Sequence, residues 1–562
     1  MPEHKKTVTG GALLVESLLA HGARRAFCVP GESYLEVLNA FQDHPSFHVV
    51  VCRQEGGAAM MAEAHGKLTG EPGICFVTRA PGATNASSGL HVAMQDSTPM
   101  ILFVGQVARG DFERETFQEL DYRKVFGSMV KWAAQIDDAA RIPEFVGRAF
   151  SVATSGRPGP VVLALPEDML RDVVPKPPTL AHYRRAEAHP APQDMERLRS
   201  LLTQAKAPLV LLGGGGWDEE ACRNIQSFVE ANGLPVAAGF RRQHLFDNSH
   251  PNYVGDVGLG VNPALARRVR DSDLLIAVGG RLGDTTTSGY TLIDVPQPAQ
   301  PLVHIHPDPE ELGRVYQAEL PINSSMRGFA AAAAALAPVD GQRWANWTRD
   351  ARTAYEAWQR PTSMPGPVQL AEVMMHLRDR LPEEAILTNG AGNYTVWLHR
   401  FFRYRRYATQ LAPTSGSMGY GLPAAIAAKL EHPDRPVLAF AGDGCFQMTG
   451  QEIGTAVQQG SNVVIVVVNN GLYGTIRMHQ EKTHPGRTRF TELVNPDFAA
   501  LARAYGANGE RVETTADFAP ALERALTASA PSLIEVRIDP EAITPTATLS
   551  DLRDAAKAQQ GC

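Results

Sequence analysis

The segment VLAFAGDGCF, residues 437 to 446, runs as an apolar strand into an aspartate set between two glycines and returns at once to apolar residues. Five strand-compatible residues, Val437 to Ala441, predict a buried strand. The chain then delivers Asp443 to the carboxyl edge of the sheet, where open α/β folds bind their ligands. Gly442 and Gly444 remove side-chain bulk on either side and permit close backbone approach. Taken alone, the segment fits equally a tight strand-to-helix turn with Asp443 as the helix cap. A second buried strand in NVVIVVVNNGLYG, residues 462 to 474, ends in Asn469 and Asn470, the latter 27 residues after Asp443. Both polar sites therefore fall on one sheet edge. A carboxylate, a side-chain amide and nearby carbonyls are hard oxygen donors that suit Mg²⁺, which usually bridges to phosphates. The turn from Gly442 to Cys445 also opens a helix whose N–H groups and positive dipole end can hold those phosphates.

The chain has 562 residues, too many for a single core, and its length points to three or four domains. A hydrophobic content of 44% with 20% charged residues describes a soluble globular protein. The net charge of -7 gives no general attraction to nucleic acid or to an anionic membrane. The basic cluster HRFFRYRRY, residues 399 to 407, reads as a solvated or subunit-facing surface. Near the amino terminus Glu16 interrupts a short apolar run, which predicts a helix and not a signal peptide. No apolar stretch approaches the ~18 residues that a membrane span needs. Cysteines 28, 52, 75, 222, 445 and 562 form no C-x-x-C pair, so reduced, mostly buried thiols and a cytoplasmic location are expected.

Strands alternate with helical segments throughout, which predicts stacked Rossmann-like α/β domains with parallel sheets. A proline-rich stretch at 173–194 reads as an extended linker, and a second shift ends in RPTSMPGP at 360–367. Three blocks result: 1–172, 190–338 and 365–545. The middle block carries PLVLLGGGGWDEEA and DLLIAVGGRLGD, two strands ending in glycines. These turns suit a nucleotide, or simply close packing, and a full G-x-G-x-x-G is missing.

The G-D-G and N-N spacing resembles the thiamine diphosphate-binding motif of thiamine-dependent enzymes. By that resemblance Asp443, Asn470 and the carbonyl of Leu472 hold Mg²⁺, which holds the diphosphate, and Gly442, Gly444 and Cys445 form the turn around it. The segment VVVCRQEGGAAMMAEAHGKLTGEPGICFVTRAPGATNASSGL, residues 49 to 90, is similar to the pyrimidine-binding domain of the acetolactate synthase branch. There Glu55 touches the aminopyrimidine ring, beside Pro81 and Asn85 of PGATN. On the residues alone, Glu55 is also a helix-start glutamate favoured by the dipole. The resemblance runs from GGALLVESLLAHGARRAFCVPG to VNPDFAALARAYGA and makes the three blocks a pyrimidine-binding, a central and a diphosphate-binding domain. In PTSGSMGYGLPAAIAA, Met418 would wedge between the cofactor's rings, and the Gly416 carbonyl would accept from its exocyclic amine. Gly392, Asn393 and Tyr394 fall at a second diphosphate contact, where the family's synthases more usually show Gln-His.

The resemblance implies decarboxylation of a 2-oxo acid and transfer of the resulting enamine to an acceptor carbonyl, or its protonation to release an aldehyde. It also implies a homodimer or homotetramer with sites between subunits. A protein that binds the cofactor without catalysis is the remaining alternative. FAD in the central block stays open, because biosynthetic synthases hold it and catabolic relatives lack it. The chain departs from biosynthetic synthases at four places. Thr285 replaces an arginine that grips the second 2-oxo acid, leaving Arg281; Glu167 stands in LPEDM where they read LPKD; His479 replaces a channel tryptophan. Glu32 in VPGES stands where they carry glycine and where decarboxylases carry a catalytic aspartate. Glu32 would act as a proton relay favouring aldehyde release, or turn away to cap the following helix. Phe117 and Gln118 remain synthase-like, and Gln118 can donate a hydrogen bond to a carbonyl oxygen but cannot shuttle protons.

Overall fold

The structure is a computed structural model that describes residues 7–560. The first six residues, Gly561 and Cys562 lie outside that range. The chain divides into two compact units, one reaching Ala186 and including Ile426–Glu431, the other holding Glu187–Ala425 and the residues from His432 onward.

The first unit is built on a six-stranded parallel sheet in the order His48–Val51, Arg25–Cys28, Gly73–Val77, Met100–Gln106, Pro160–Pro166, Trp132–Gln135. Side chains alternate across a strand. Ile74 and Phe76, Ile101 and Phe103, and Val161, Leu163 and Leu165 therefore share one face with Leu14 and Leu18 of helix Gly10–Ala20. Phe150 of helix Ile142–Thr154 joins the same core.

The second unit contains two more six-stranded parallel sheets. The central one runs Tyr253–Asp256, Val236–Ala238, Pro208–Leu212, Leu274–Val278, Leu302–His306, Leu320–Asn323. Both of its faces are covered, as parallel sheets require: Val210, Leu212, Ile276 and Val278 face one core, and Leu209, Leu211, Leu275 and Ala277 the other. Each of the valine, leucine and isoleucine side chains contributes about 1.5–3 kcal/mol of burial. The last sheet runs Gln410–Leu411, Ile386–Asn389, Val437–Gly442, Val464–Asn469, Ser532–Arg537, Asn508–Val512. The protein therefore consists of three parallel-sheet α/β domains.

Several sequence expectations change in the folded chain. The proline-rich stretch is not wholly a linker, because Val173–Pro175 pairs antiparallel with Thr7–Thr9, and a helix starts at Pro192. After the alanine-rich helix Met326–Ala334 comes a further helix, Ala345–Trp358, which closes the central core through Tyr355, with Trp344 just before it. The third sheet also gains a helix beyond 545, Leu549–Gln560, tied to Glu481 by Arg553 at 2.8 Å. The basic cluster at 399–407 is a solvated surface only in its second half. His399, Arg400, Phe401 and Phe402 are buried, whereas Arg405 and Arg406 are exposed and pair with Glu383. The cysteines at 28, 52, 75, 222 and 445 are free thiols, as expected. Among the described residues no helix is long and apolar enough to cross a membrane.

Gly73 sets how closely helix Glu55–Thr69 approaches the sheet, since a Cβ there would stand 1.8 Å from the Ala62 carbonyl oxygen. The obstacle is backbone, so it cannot swing aside. Gly73→Ala is expected to destabilise the first unit by about 1–3 kcal/mol, as overpacking does. A lowered thermal midpoint is the readout, and an unchanged midpoint contradicts it.

Candidate active site

Strand Val437–Gly442 ends in the four-residue helix Asp443–Phe446, and strand Val464–Asn469 ends beside it. Asp443 is only 2% exposed. Its Oδ1 accepts from the Gly444 N–H at 2.9 Å, and its Oδ2 from the Gly471 N–H at 2.9 Å and from Asn495 Nδ2 at 2.7 Å. Burial pushes the carboxyl up from its usual range, and the Asn495 and backbone hydrogen bonds oppose that. Asn470 lies beside it, its Oδ1 accepting from the Leu472 N–H at 3.1 Å. The helix is too short to carry much of a macrodipole. What this turn offers an anion is its backbone N–H groups.

The flanking glycines make room for rings. A Cβ on Gly442 would meet Tyr394 at 3.2 Å, and one on Gly444 would meet Tyr473 at 2.7 Å. Tyr394 is buried, with its hydroxyl accepting from the Gly390 N–H at 3.1 Å and donating to Cys445 Sγ at 3.6 Å. Cys445 Sγ also accepts from the Gly419 N–H at 3.2 Å, so one thiol ties together three turns. Asn393 is held by Thr475, which donates to its Oδ1 at 2.9 Å, and by donation from its own Nδ2 to the Ile543 carbonyl at 3.1 Å.

These turns enclose a cavity of about 780 Å³ in the second unit. Gly392, Asn393 and Tyr394 line it from one side, Gly416 and Met418 from another. Gly442, Asp443, Gly444 and Cys445 line it with Asn470 and Leu472. His479 lies in the wall, whereas Thr285 and Arg281 do not line it. Arg241, buried in the central domain, reaches across to the Pro413 carbonyl at 2.5 Å and so braces the 413–418 turn.

In the first unit Glu55 opens helix Glu55–Thr69, and its Oε2 accepts from Asn85 Nδ2 at 3.0 Å. Pro81 starts the short helix Ala80–Asn85, whose Gly82 lies against the other Glu55 oxygen. Gln118 joins the cluster through its carbonyl, which accepts from the Ala80 N–H at 3.2 Å, and it sits in the left-handed region at φ 64°. Glu32 is exposed and caps no helix; it faces Arg79 at 3.9 Å. Arg79, itself buried, also pairs with Glu167.

Two residues in contact with candidate site residues were not read from the sequence. Asn495 lies in the quoted VNPDF segment but carries no local signal. It reaches Asp443 because the Leu493 N–H pairs with the Gly471 carbonyl at 2.8 Å and the Tyr473 N–H with that of Thr491 at 2.8 Å. Arg79 is read only from its two acidic partners. The glycine turns of the central sheet pack on one another, since a Cβ on Gly214 would stand 1.8 Å from the Gly279 carbonyl oxygen.

The family models of the thiamine pyrophosphate enzymes match all three domains: the N-terminal TPP binding domain over residues 8–125, the central domain over 195–334 and the C-terminal TPP binding domain over 390–536. The acetolactate synthase large subunit of Corynebacterium glutamicum is 31% identical over 92% of this chain and 84% of its own length. The isozyme 2 large subunit of Escherichia coli is 30% identical over 95% of this chain and 96% of its own. A probable acetolactate synthase large subunit of Methanocaldococcus jannaschii is 30% identical over 95% and 93%. The chain belongs to the thiamine diphosphate-dependent enzymes, in the branch of the acetolactate synthase large subunits. It is an enzyme that uses thiamine diphosphate.

Asn495→Ala removes the donor shared by Asp443 and Asn469. Hydrogen bonds to charged groups contribute about 1.5–3 kcal/mol. Calorimetric affinity for thiamine diphosphate is expected to fall roughly tenfold or more. Unchanged affinity would separate Asn495 from the site.

Proposed function

We propose that this chain is a thiamine diphosphate- and Mg²⁺-dependent carboligase that decarboxylates a 2-oxo acid and transfers the remaining fragment to an acceptor carbonyl. The single observation that supports it most is the gathering of the Asp443 turn, Asn470, Leu472, Met418 and Tyr394 around one cavity. Its volume of about 780 Å³ suits a cofactor-sized ligand. The donor set fits the cation: one carboxylate and neutral oxygens leave the remaining positions to phosphate and water, as Mg²⁺ prefers. Among the described residues no cluster of three His, Cys, Asp or Glu competes for it.

In this reading Asp443, the Asn470 side-chain oxygen and the Leu472 carbonyl hold the cation. The N–H groups around Gly442, Gly444 and Cys445, with Gly392, Asn393 and Tyr394 opposite, hold the diphosphate. Met418 would pack against the bound cofactor, and the Gly416 carbonyl would accept from its amine. Bound there, thiamine diphosphate supplies an electron sink for the decarboxylated carbon. Glu55, oriented by Asn85, holds a proton at the pyrimidine nitrogen; Pro81 flanks it. Gln118 donates to the substrate carbonyl.

The alternative of a simple decarboxylase rests on Glu32 as a proton relay. Glu32 is exposed and only 3.9 Å from Arg79, whose close partner is Glu167, so ligation is supported by Gln118, which carries no transferable proton at neutral pH. The same reading assigns the domains to 1–172, 190–338 and 365–545, places the protein in the cytoplasm, and makes it a homodimer or homotetramer whose sites take Glu55 and Asp443 from different subunits. It assigns no FAD: the visible spectrum of the purified protein reports whether the central domain holds one.

Asp443→Ala is expected to abolish Mg²⁺-dependent retention of thiamine diphosphate while the protein stays folded. Stoichiometric cofactor after dialysis against chelator contradicts the assignment. Glu55→Gln keeps shape but cannot take up the proton, and acid–base groups of this kind contribute about 10²–10⁴ in rate. The variant is expected to bind cofactor nearly normally while its C2 proton exchanges with deuterated solvent at least ~10² more slowly, read by acid quench and proton NMR. Wild-type exchange no faster than that of free cofactor would overturn the enzymatic role.

A further inference from the structure

Helix Tyr394–Phe401 forms one wall of the cavity. Its first residue lies against Gly442, at the Asp443 end. Arg400 lies six residues further on, about 9 Å along the axis at 1.5 Å per residue, and lines the same cavity. Apolar side chains share this wall, although Arg241, His479 and Lys482 also line the cavity. Val396 and Trp397 come from this helix, and Leu259 and Val261 from the central domain.

Arg400 is only 8% exposed. Its Nε donates to the Trp358 carbonyl at 2.7 Å, and its guanidinium lies 3.8 Å over the Trp358 ring and 4.9 Å over Phe401. These contacts fix the plane of the fork. Nη1 is buried and has no hydrogen-bond partner, and among the described residues no carboxylate forms an ion pair with Arg400. Burial lowers its pKa to about 10, so it remains a cation at neutral pH. Asp256 shares an adjoining side pocket of about 20 Å³ with it. That carboxyl accepts from Gln243 Nε2 at 3.2 Å, is pushed up to about 7 by burial, and forms no ion pair with Arg400 among the described residues. A buried guanidinium without an anion is costly, and a planar fork held by stacking matches a carboxylate.

We propose that Arg400 recognises the carboxylate of an apolar-bodied substrate acid, at the end of the cavity remote from the diphosphate turn. The statement that this acid is a substrate rests on the proposed carboligase function; the anion subsite itself does not. Thr285, where the resemblance places an arginine for the second 2-oxo acid, lies outside the cavity wall. Arg400 supplies a cation from a different element.

The test compares 4-phenylbutyrate with its neutral amide by calorimetry on the enzyme loaded with thiamine diphosphate and Mg²⁺. Wild type is expected to bind the acid roughly ten- to a hundredfold more tightly than the amide. In Arg400→Gln that preference should vanish while the amide's affinity and cofactor binding hold. Arg400→Lys keeps the charge without the stacked fork and should retain part of the preference, so it carries the test if the glutamine variant fails to fold. Equal binding of acid and amide by wild type, no binding of either, or an undiminished preference in the folded glutamine variant would overturn the proposal. The same titration in Asp443→Ala separates the two readings. Loss of cofactor with acid preference intact leaves the subsite standing, and cofactor retention there refutes the metal assignment alone.

Discussion

The buried carboxylate of Asp443 is the constraint around which the last domain is arranged. An acid so deep in the protein must be hydrogen-bonded or neutralised. Here three donors from three chain segments, Gly444, Gly471 and Asn495, meet it. Asn495 is itself shared with Asn469, whose Nδ2 donates to the fully buried Glu535 at 2.7 Å. Glu535 is in turn met by Arg511 and Arg537, each at 3.2 Å. The network runs from the sheet edge back into the sheet, so the carboxylate's position is inherited from strand register.

The cavity exists because the central and last sheets are joined through polar contacts between their loops. Gln243 accepts at its backbone oxygen from Asn248 and donates its side chain to the His399 carbonyl, and its N–H donates to Gln410 at 2.9 Å. Arg241 and Asn248 add bonds to the Pro413 carbonyl and the Tyr404 N–H. Each of these groups is buried, so each bond must be made. Together they join the two domains whose residues Leu259, Val261, Val396 and Trp397 line the cavity.

In the first unit, Glu32 and Glu167, two of the departures from the synthase pattern, share one partner. Arg79 pairs with Glu167 and faces Glu32, immediately before the Ala80–Asn85 helix that buttresses Glu55. Glu167 is the close partner of Arg79, whereas the exposed Glu32 stands 3.9 Å from it, a contact worth little in water.

The sequence alone determined the parallel α/β class, because runs such as Val437–Ala441 and Val464–Val468 are too uniformly apolar for a half-exposed strand. It also located Asp443 and Asn470, since residues that end buried strands must emerge at one sheet edge, and it located Glu55 through the adjacent motif. Tertiary structure decided what no local pattern encodes. Asn495 reaches Asp443 only through pairing of the 491–493 segment with 471–473. Half of an apparently solvated basic cluster became core because Trp358, on a helix the sequence reading had not identified, offers Arg400 a ring and a carbonyl. Periodicity reports which face of an element is apolar, but which charge finds a partner depends on residues brought together from distant parts of the chain.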